Sequence, residues 1–540
     1  MATLFGIQLF FRSNLKEKLI LWLIPAILGA TGITLLKYLL PIYSGYPGLD
    51  QDPAYQYYLN GLALFDLQAP MHVDHPGTPL QVIAGVITSI IWIIKTVLGH
   101  ESLGLIQSGL NDPEYYIAWI CPILLICNVM ATYYFGLKVF QSSSRIYLAL
   151  ICQITPFLFW PLLPRSIYLA PESLLIAISY WYLGLLSPLI FKLSNKNLDG
   201  NPPSTMMLGL LGGLGLAVKF NFAPLLLLLL FLEKPEKIVK AALLSVVFFL
   251  IFVSPALVRY EQIANWVLSL FIHSGVYGSG KPNIIDPILL LGNLKQLIDN
   301  FFVIFVVCFL LLIVLIKRYF ENIKAGKTLA NELLTPLALL VTISLEIALV
   351  AKHFGYHYLL PILPVVTISI SWLLQNISLK IDSKLINRAL PIACIGLSLF
   401  IALSSATKST IDLAAKRMIA NQSLSVIEQE ITLHPNALII GTYRCTLRKC
   451  ALSFAGAYAT LHDYLPQYLN NYLYYSIWWQ KLVVYGSGWE DPTYLKPILA
   501  SGTEVLLVSP EGNIGLERFV LSPIVKTPLQ SLYKIEAIQN

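Results

Sequence analysis

Charge is what this sequence has least of. Only 12% of its 540 residues are Asp, Glu, Lys or Arg, about half the share found in water-soluble domains. A chain so poor in charge lacks the polar surface of a soluble globular enzyme, and that class is excluded. Cysteine is scarce too: seven residues cannot staple a disulfide scaffold of this length. The apolar stretches run continuously rather than alternating, which excludes an outer-membrane barrel. There is no glycine-rich phosphate loop of the P-loop type, which weighs against an ATP-driven pump. The net charge of +7 does not suggest nucleic acid as a partner; where the charge lies matters more than its size. What remains is 56% hydrophobic with mean hydropathy +0.70, and its solvent is the lipid bilayer.

The hydrophobic runs predict an all-α polytopic membrane bundle of about 11 helices over residues 1–406. The runs are Leu19–Tyr43, Tyr115–Phe140, Ile146–Leu163, Ile167–Phe191, Thr205–Ala217, Phe222–Leu232, Val239–Val258, Phe301–Ile316, Thr335–Val350, Tyr356–Leu374 and Ala389–Ala406. The first run is too long for a signal-peptide core and lacks a small-residue cleavage site. Threading them with a cytoplasmic N-terminus places 17 Lys and Arg on inner flanks and 8 on outer flanks, the expected bias. Pro79–Leu98 is apolar enough to cross, yet counting it as a span inverts all that follows. It is read as an interfacial or re-entrant segment of the first outer loop, residues 44–114. An odd number of spans leaves residues 407–540 outside as a small soluble α/β domain.

Polar chemistry then concentrates on the outer loops. Asp50 and Asp52 stand just beyond the first span, in Leu49-Asp50-Gln51-Asp52-Pro53-Ala54-Tyr55. A carboxylate there suits a general base for an incoming hydroxyl or amine; an Asp- and Pro-rich turn is the bland alternative. His72 and His75, in His72-Val73-Asp74-His75-Pro76-Gly77-Thr78-Pro79-Leu80, suit a phosphate. Lys352, His353, Tyr356, His357 and Tyr358 cluster at one helix end, fitting either an anionic headgroup or ordinary snorkelling at an interface. Lys219 sits between two short spans, where broken helices tend to line a polar cavity. Arg165 and Glu172 flank another span at helical spacing and are placed to pair. Glu346, inside an apolar run, is read as facing the bundle in a structural role.

Four of these segments together resemble the GT-C superfamily of integral-membrane glycosyltransferases, which includes protein O-mannosyltransferases and lipid A aminoarabinose transferases. Asp52-Pro53-Ala54-Tyr55 is similar to the family's acidic motif after the first span. His75-Pro76-Gly77-Thr78-Pro79-Leu80 resembles its His/Lys-Pro-Pro-Leu segment, with Gly-Thr inserted. Gly213-Leu214-Gly215-Leu216-Ala217-Val218-Lys219 and Tyr358-Leu359-Leu360-Pro361-Ile362-Leu363-Pro364 resemble its Gly-Leu-Ala…Lys and Tyr-Leu-Leu-Pro segments. The resemblance covers most of residues 1–406. It implies inverting transfer of a sugar from a polyprenyl-phosphate donor to a glycan, lipid or protein acceptor. Asp52, with Asp50 behind it, would be the base, and basic residues would hold the lipid phosphate. Some relatives use a divalent metal, for which Asp50 and Asp52 are the candidate ligands. A transporter or flippase of lipid-linked sugars, or an assembly protein that kept the fold and lost the site, are the competing classes. The sequence shows no inverted repeat of the kind a transporter predicts.

In the tail, Asn421–Leu433 reads as an amphipathic helix. Residues 437–440 and 504–508 read as strands, with Leu532–Ile538 as an edge strand. Tyr458–Trp479, crowded with aromatics, reads either as a helix or as a surface for sugar rings. Cys445 and Cys450 are spaced to form a disulfide in an outward-facing domain.

Overall fold

The computed structural model describes residues 15–39, 51–192, 203–274, 282–324, 330–378, 384–443, 445, 447–485, 487–510 and 515–539. Among these, nine helices are long and apolar enough to cross a membrane. They are α1 (Lys16–Leu39), α3 (Thr78–Val97), α5 (Pro113–Ser143), α7 (Pro171–Phe191), the pair α9 (Pro235–Val253) and α10 (Tyr260–Ile272) taken as one, α11 (Pro287–Lys324), α12 (Ala330–Lys352), α13 (Tyr356–Asn376) and α14 (Lys384–Thr432). Between them lie α2 (Gln56–Phe65), α4 (Leu105–Asn111), α6 (Ile146–Gln153) and α8 (Thr205–Val218).

Contacts along these helices fix their directions. Gly29 faces Val129, and Trp22 stacks on Tyr133, so α1 and α5 run antiparallel. Asn128 donates to Ser173 at 2.8 Å, Phe135 stacks on Tyr180 and Ser142 meets Ser187, so α5 and α7 run parallel. Between these two parallel helices the chain must return. It does so through α6 and three 3₁₀ turns spanning residues 155–166. Pro156, Pro161 and Pro164 forbid a continuous α-helix there, because each removes a backbone donor. The short α8 and the 3₁₀ segment Phe220–Leu232 make another such pair, broken at Lys219. Glycines let α8 lie directly on α9: a Cβ on Gly213 would stand 2.6 Å from the Ser245 carbonyl.

α3 is the exception among the nine. Its first residues are tied to the end of α8, where the Gly77 N–H donates to the Ala217 carbonyl at 3.0 Å. Its last turn is tied to the start of α5: Lys95 pairs with Glu101 at 3.0 Å and lies over the Tyr115 and Tyr116 rings. Both anchors belong to the same end of the bundle, so α3 does not traverse it. Val86, Ile90, Ile93, Ile94 and Val97 form one uncovered apolar stripe, the face of an interfacial helix. Without α3, eight long segments remain. Residues 146–166, α8 and Phe220–Leu232 bring the passes to eleven.

The last helix, α14, runs unbroken from the bundle through residue 406 to Thr432 and carries the sheet domain. That domain is a seven-stranded mixed sheet of order β4-β3-β2-β1-β5-β7-β6. The strands are β1 (Leu438–Gly441), β2 (Tyr472–Ser476), β3 (Lys481–Val484), β4 (Gly488–Glu490), β5 (Val505–Pro510), β6 (Phe519–Lys526) and β7 (Gln530–Ile538). β2, β1 and β5 are parallel, and the outer pairs are antiparallel hairpins. Two sequence expectations are corrected here. The 532–538 strand lies inside the sheet, because the alternating run Phe519–Lys526 covers its edge. Tyr458–Trp479 is no helix: it contains one turn at Pro466–Leu469 and then β2, whose β-branched-poor but Tyr-rich run is buried on both faces.

The sheet domain sits on the first loop. Helix α15 (Arg448–Gly456) leads: its Arg448 reaches Glu114 at 2.8 Å and the Asn111 carbonyl at 2.7 Å. Tyr464 bonds Asp66, Thr460 bonds the Ala69 carbonyl, and Asn60 donates to the Tyr458 carbonyl at 2.9 Å. Cys445 and Cys450 are joined in a disulfide at the foot of α15.

Candidate functional site

A cavity of about 290 Å³ opens at the end of the bundle that carries the sheet domain. It is lined by His75, Lys219, Asn221, Trp266, Glu346 and Tyr358, with Leu270, Leu349, Val350, Lys352 and His353 among its other walls. Six residues singled out in the sequence, spread over nearly 300 positions, therefore share one space: His75, Lys219, Glu346, Lys352, His353 and Tyr358.

Lys219 is the centre of it. The helix break leaves it extended, at φ −164° and ψ 133°, so its side chain leaves the axis of α8 and enters the bundle. It is only 4% exposed and ion-pairs with Glu172, itself 2% exposed at the start of α7. Its ammonium also lies 4.4 Å from the centre of the Tyr358 ring. His357 Nε2 stands 3.8 Å from the same Glu172 carboxylate. Arg165, the expected partner of Glu172, adds a positive charge nearby, and Lys219 makes the pair. Buried charges need such pairing, because an isolated one costs several kcal/mol of desolvation.

Three acceptor atoms around the cavity are not satisfied. Glu346 is fully buried, and neither carboxylate oxygen has a hydrogen-bond partner among the described residues. The Asn221 side chain donates to the Tyr358 carbonyl at 2.8 Å, while its Oδ1 has no partner among the described residues. Unsatisfied acceptors in an apolar wall are costly. Their place beside an open cavity gives Glu346 a meaning the sequence did not reveal.

Lys352 and His353 line the cavity while holding something else. Lys352 donates to the carbonyls of Leu270 at 2.7 Å and Phe271 at 2.9 Å, and His353 Nε2 meets the Leu270 carbonyl at 2.7 Å. Lys352 and His353 thus cap the C-terminus of α10, where unpaired carbonyls and the helix dipole favour donors and positive charge. Tyr356 stands outside the cavity: its hydroxyl meets Asn300 at 3.2 Å and its ring packs on Phe301, at the kink of α11.

His75 and His72 form an aromatic file leading away from the cavity. Trp266 packs edge-on to His75 at 5.0 Å, His75 to His72 at 6.4 Å, and His72 to Tyr57 at 5.3 Å. Gly77 holds the turn open with φ 68°, and a Cβ there would strike the Tyr57 ring. Burial and the nearby Lys219 charge push the His75 imidazole well below its ordinary range, so it is neutral and offers one donor and one acceptor. Asn60 fixes the far end: its Oδ1 accepts the Met71 N–H at 2.7 Å and the His72 N–H at 3.2 Å.

The acidic segment lies next to this file. Residues Gln51–Tyr55 form a single turn leading into α2, and Tyr55 hydrogen-bonds Glu114, the carboxylate held by Arg448. Asp52 is thus on a turn clamped beneath the sheet domain, though its side chain lies outside what the structure describes, and so does all of Asp50. Among the described residues no group of three His, Cys, Asp or Glu is placed to hold a metal ion. The pairings missed from sequence, Arg448 with Glu114 and Glu346 with the cavity, are long-range contacts without any local signal. Trp266 alone had one, as an aromatic in an amphipathic helix.

No family model matches this sequence, and no curated protein does. Among solved structures, the chain is similar to the crystal structure of ArnT from Cupriavidus metallidurans bound to undecaprenyl phosphate. The TM-score is 0.50 at 9% sequence identity, over 94% of this chain and 97% of that one. The match runs through the bundle, α3 and the terminal sheet domain, and the chain shares the fold of that structure.

Proposed function

We propose that this protein is a membrane glycosyltransferase that takes a sugar from a polyprenyl-phosphate donor and passes it to an acceptor on the extracytoplasmic face. The observation that carries this reading is the cavity: buried Lys219 and three acceptors unsatisfied among the described residues, set in a largely apolar wall. An isoprenoid chain needs apolar walls, its phosphate needs Lys219, and sugar hydroxyls need acceptors such as Glu346 and Asn221. The similar ArnT structure is bound to undecaprenyl phosphate, a lipid of this class. The basic bias of the loops, 17 to 8, supports an N-terminus in the cytoplasm with the cavity end and the sheet domain outside, in the inner membrane of a bacterial envelope.

The chemistry is a displacement at the anomeric carbon. An acceptor hydroxyl or amine attacks that carbon, and the carbon–oxygen bond to phosphate breaks. The electron pair leaves with the polyprenyl phosphate, and configuration inverts. Asp52 takes the proton as general base, with Asp50 as its neighbour. Lys219 stabilises the second negative charge that develops on the phosphate, while neutral His75 donates a hydrogen bond to it. Lys352 and His353 hold α10 over the cavity, and Tyr358 sets the position of Lys219. A divalent ion, if the protein uses one, would be held by Asp50 and Asp52 and would add Lewis acidity at the phosphate.

The test is transfer by the purified protein in lipid nanodiscs, supplied with a panel of polyprenyl-phosphate sugars. Asp52→Asn keeps the shape and removes the proton acceptor, so turnover falls by about 10²–10⁴-fold while lipid binding persists. Near-normal turnover removes Asp52 from the mechanism. Net movement of intact lipid-linked sugar across the bilayer, without transfer, would favour a flippase instead.

A further inference from the structure

The sheet domain carries an aromatic cluster that no step of the transfer uses. Phe454, on α15, and Tyr474, on β2, form its floor and are buried. Tyr443, just past the end of β1, and Tyr458 form its walls: Tyr443 packs on Phe454 at 5.3 Å, and Tyr458 on Phe454 at 5.6 Å. Trp478, Trp479 and Trp489 form the rim. Trp478 meets Tyr443 at 4.8 Å, and Trp479 meets Trp489 at 4.7 Å and Tyr458 at 5.7 Å. Their planes cross at 56–63°, so the rings present faces in several directions rather than stacking closed.

Three features separate this cluster from an ordinary core. First, Trp478 and Trp479 remain 57% and 56% exposed, adjacent on one short connection between β2 and β3. Exposed large aromatics side by side on a folded domain mark a binding surface. Second, the cluster gathers at one end of the sheet: Tyr443 and Trp478 follow the carboxyl ends of the parallel neighbours β1 and β2. Third, the cluster is joined to the catalytic end. The carbonyl of Tyr458 accepts from Asn60, whose Oδ1 holds the backbone of Met71 and His72. Helix α15, which supplies Phe454, packs on the turn that contains Asp52.

Resting on the glycosyltransferase reading above, we propose that this cluster is the acceptor site and that the acceptor is a neutral oligosaccharide. Pyranose rings expose flat C–H faces that lie on indole and phenol rings, and their hydroxyl edges then meet water or Tyr hydroxyls. The crossed ring planes suit a chain of two or three sugars that turns as it passes. A bilayer-resting patch is the rival occupant of exposed tryptophans. The link through Asn60 to His72 favours the glycan, since it points the cluster at the mouth of the site.

The test is direct binding by full-length protein in nanodiscs, titrated with neutral gluco-, galacto- and manno-oligosaccharides and followed by tryptophan fluorescence and calorimetry. At least one series should bind saturably. Trp479→Ala should weaken that binding at least tenfold, and Trp478→Ala similarly, with Trp479→Phe within about threefold of the parent. The neutral double variant Glu172→Gln/Lys219→Met should bind the oligosaccharide as the parent does, because the lipid cavity is separate. Acrylamide should quench Trp478 and Trp479 in nanodiscs, and the bound oligosaccharide should protect them. Absence of saturable binding across the panel, or binding indifferent to both tryptophans, overturns the proposal. Quenching of the two residues by brominated lipid overturns it in favour of a bilayer contact. Because binding is read without turnover, sugar binding with no transfer would sink the glycosyltransferase reading alone. Transfer to a non-glycan acceptor without sugar binding would sink only the acceptor site.

Discussion

Two ion pairs tie distant parts of this chain together, and they differ in what surrounds them. Lys219 and Glu172 meet inside the bundle with 4% and 2% of their surfaces exposed. Arg448 and Glu114 meet at the seam between sheet domain and first loop, where the Arg448 side chain is 43% exposed. The outer pair fastens two surfaces and is screened by water. The inner pair holds a charge where charge is expensive, beside an apolar cavity and three unsatisfied acceptors. A fold that only needed packing there would be at least as stable with apolar residues. The difference teaches where to look for function: at the pair whose cost has no structural return.

The largest effect should come from breaking the inner pair. Glu172→Gln leaves Lys219 buried with its carboxylate gone, a loss of about 3–5 kcal/mol that a melting curve in detergent will show. Undecaprenyl phosphate should then stabilise this variant more than the parent, since its phosphate replaces the missing anion. Equal stabilisation of both would mean that the lipid does not reach Lys219.

Next comes Glu346, whose carboxyl oxygens have no donor among the described residues. Glu346→Leu removes a buried unsatisfied group, so stability should hold or rise. The preference for sugar-loaded over bare polyprenyl phosphate should fall by about 2–10-fold, the worth of one hydrogen bond at roughly 0.5–1.5 kcal/mol. Competition binding between the two lipids reads this, and an unchanged preference removes Glu346 from the sugar site.

Much of this was legible in the sequence because it is written in composition and in short runs. Continuous apolar stretches gave the passes, and the 17-to-8 bias argued against a crossing at Pro79–Leu98. The anchors of α3 at Ala217 and Glu101 now give the geometric reason. Lys219 announced itself as a charge at a break between short helices. The rest was hidden for a physical reason. Glu346 looks like any polar residue inside a span until its neighbours are known. Lys352 and His353 look like headgroup ligands, yet the helix end they cap, Leu270 and Phe271, lies about 80 positions earlier. In the tail, local patterns found β1 and β5, whereas β7 was placed at an edge because its cover, β6, carries two register shifts that blur its alternation.

The outer pair offers a smaller effect. Arg448→Met should cost about 0.2–1 kcal/mol, an amount that high salt should reproduce in the parent. Limited proteolysis between α14 and the sheet domain checks it. A loss as large as that of Glu172→Gln would erase the contrast between the two seams.

The smallest effect concerns pH at the loop before α4. The Ser108 hydroxyl, the Leu103 N–H and Lys95 hold the Glu101 carboxyl down at about 2. A depressed folded-state pKa contributes stability above the unfolded value near 4.5, and that contribution is lost as pH falls toward 2. Glu101→Gln should therefore be less stable than the parent at pH 7, with the gap closing on acidification. A constant gap from pH 7 to pH 3 would show that the carboxylate's charge does not matter there.

Binding of the lipid phosphate tests the central assignment most directly. Native mass spectrometry of the protein with undecaprenyl phosphate should show one tightly retained lipid. The neutral double variant Glu172→Gln/Lys219→Met keeps the buried site free of unpaired charge and should fold, yet bind this lipid at least tenfold more weakly, the scale of one charge-assisted contact. Lys352→Gln should bind much more nearly as the parent does. Retention by the double variant at parental affinity, or a larger loss from Lys352→Gln, would contradict the placement of the phosphate at Lys219.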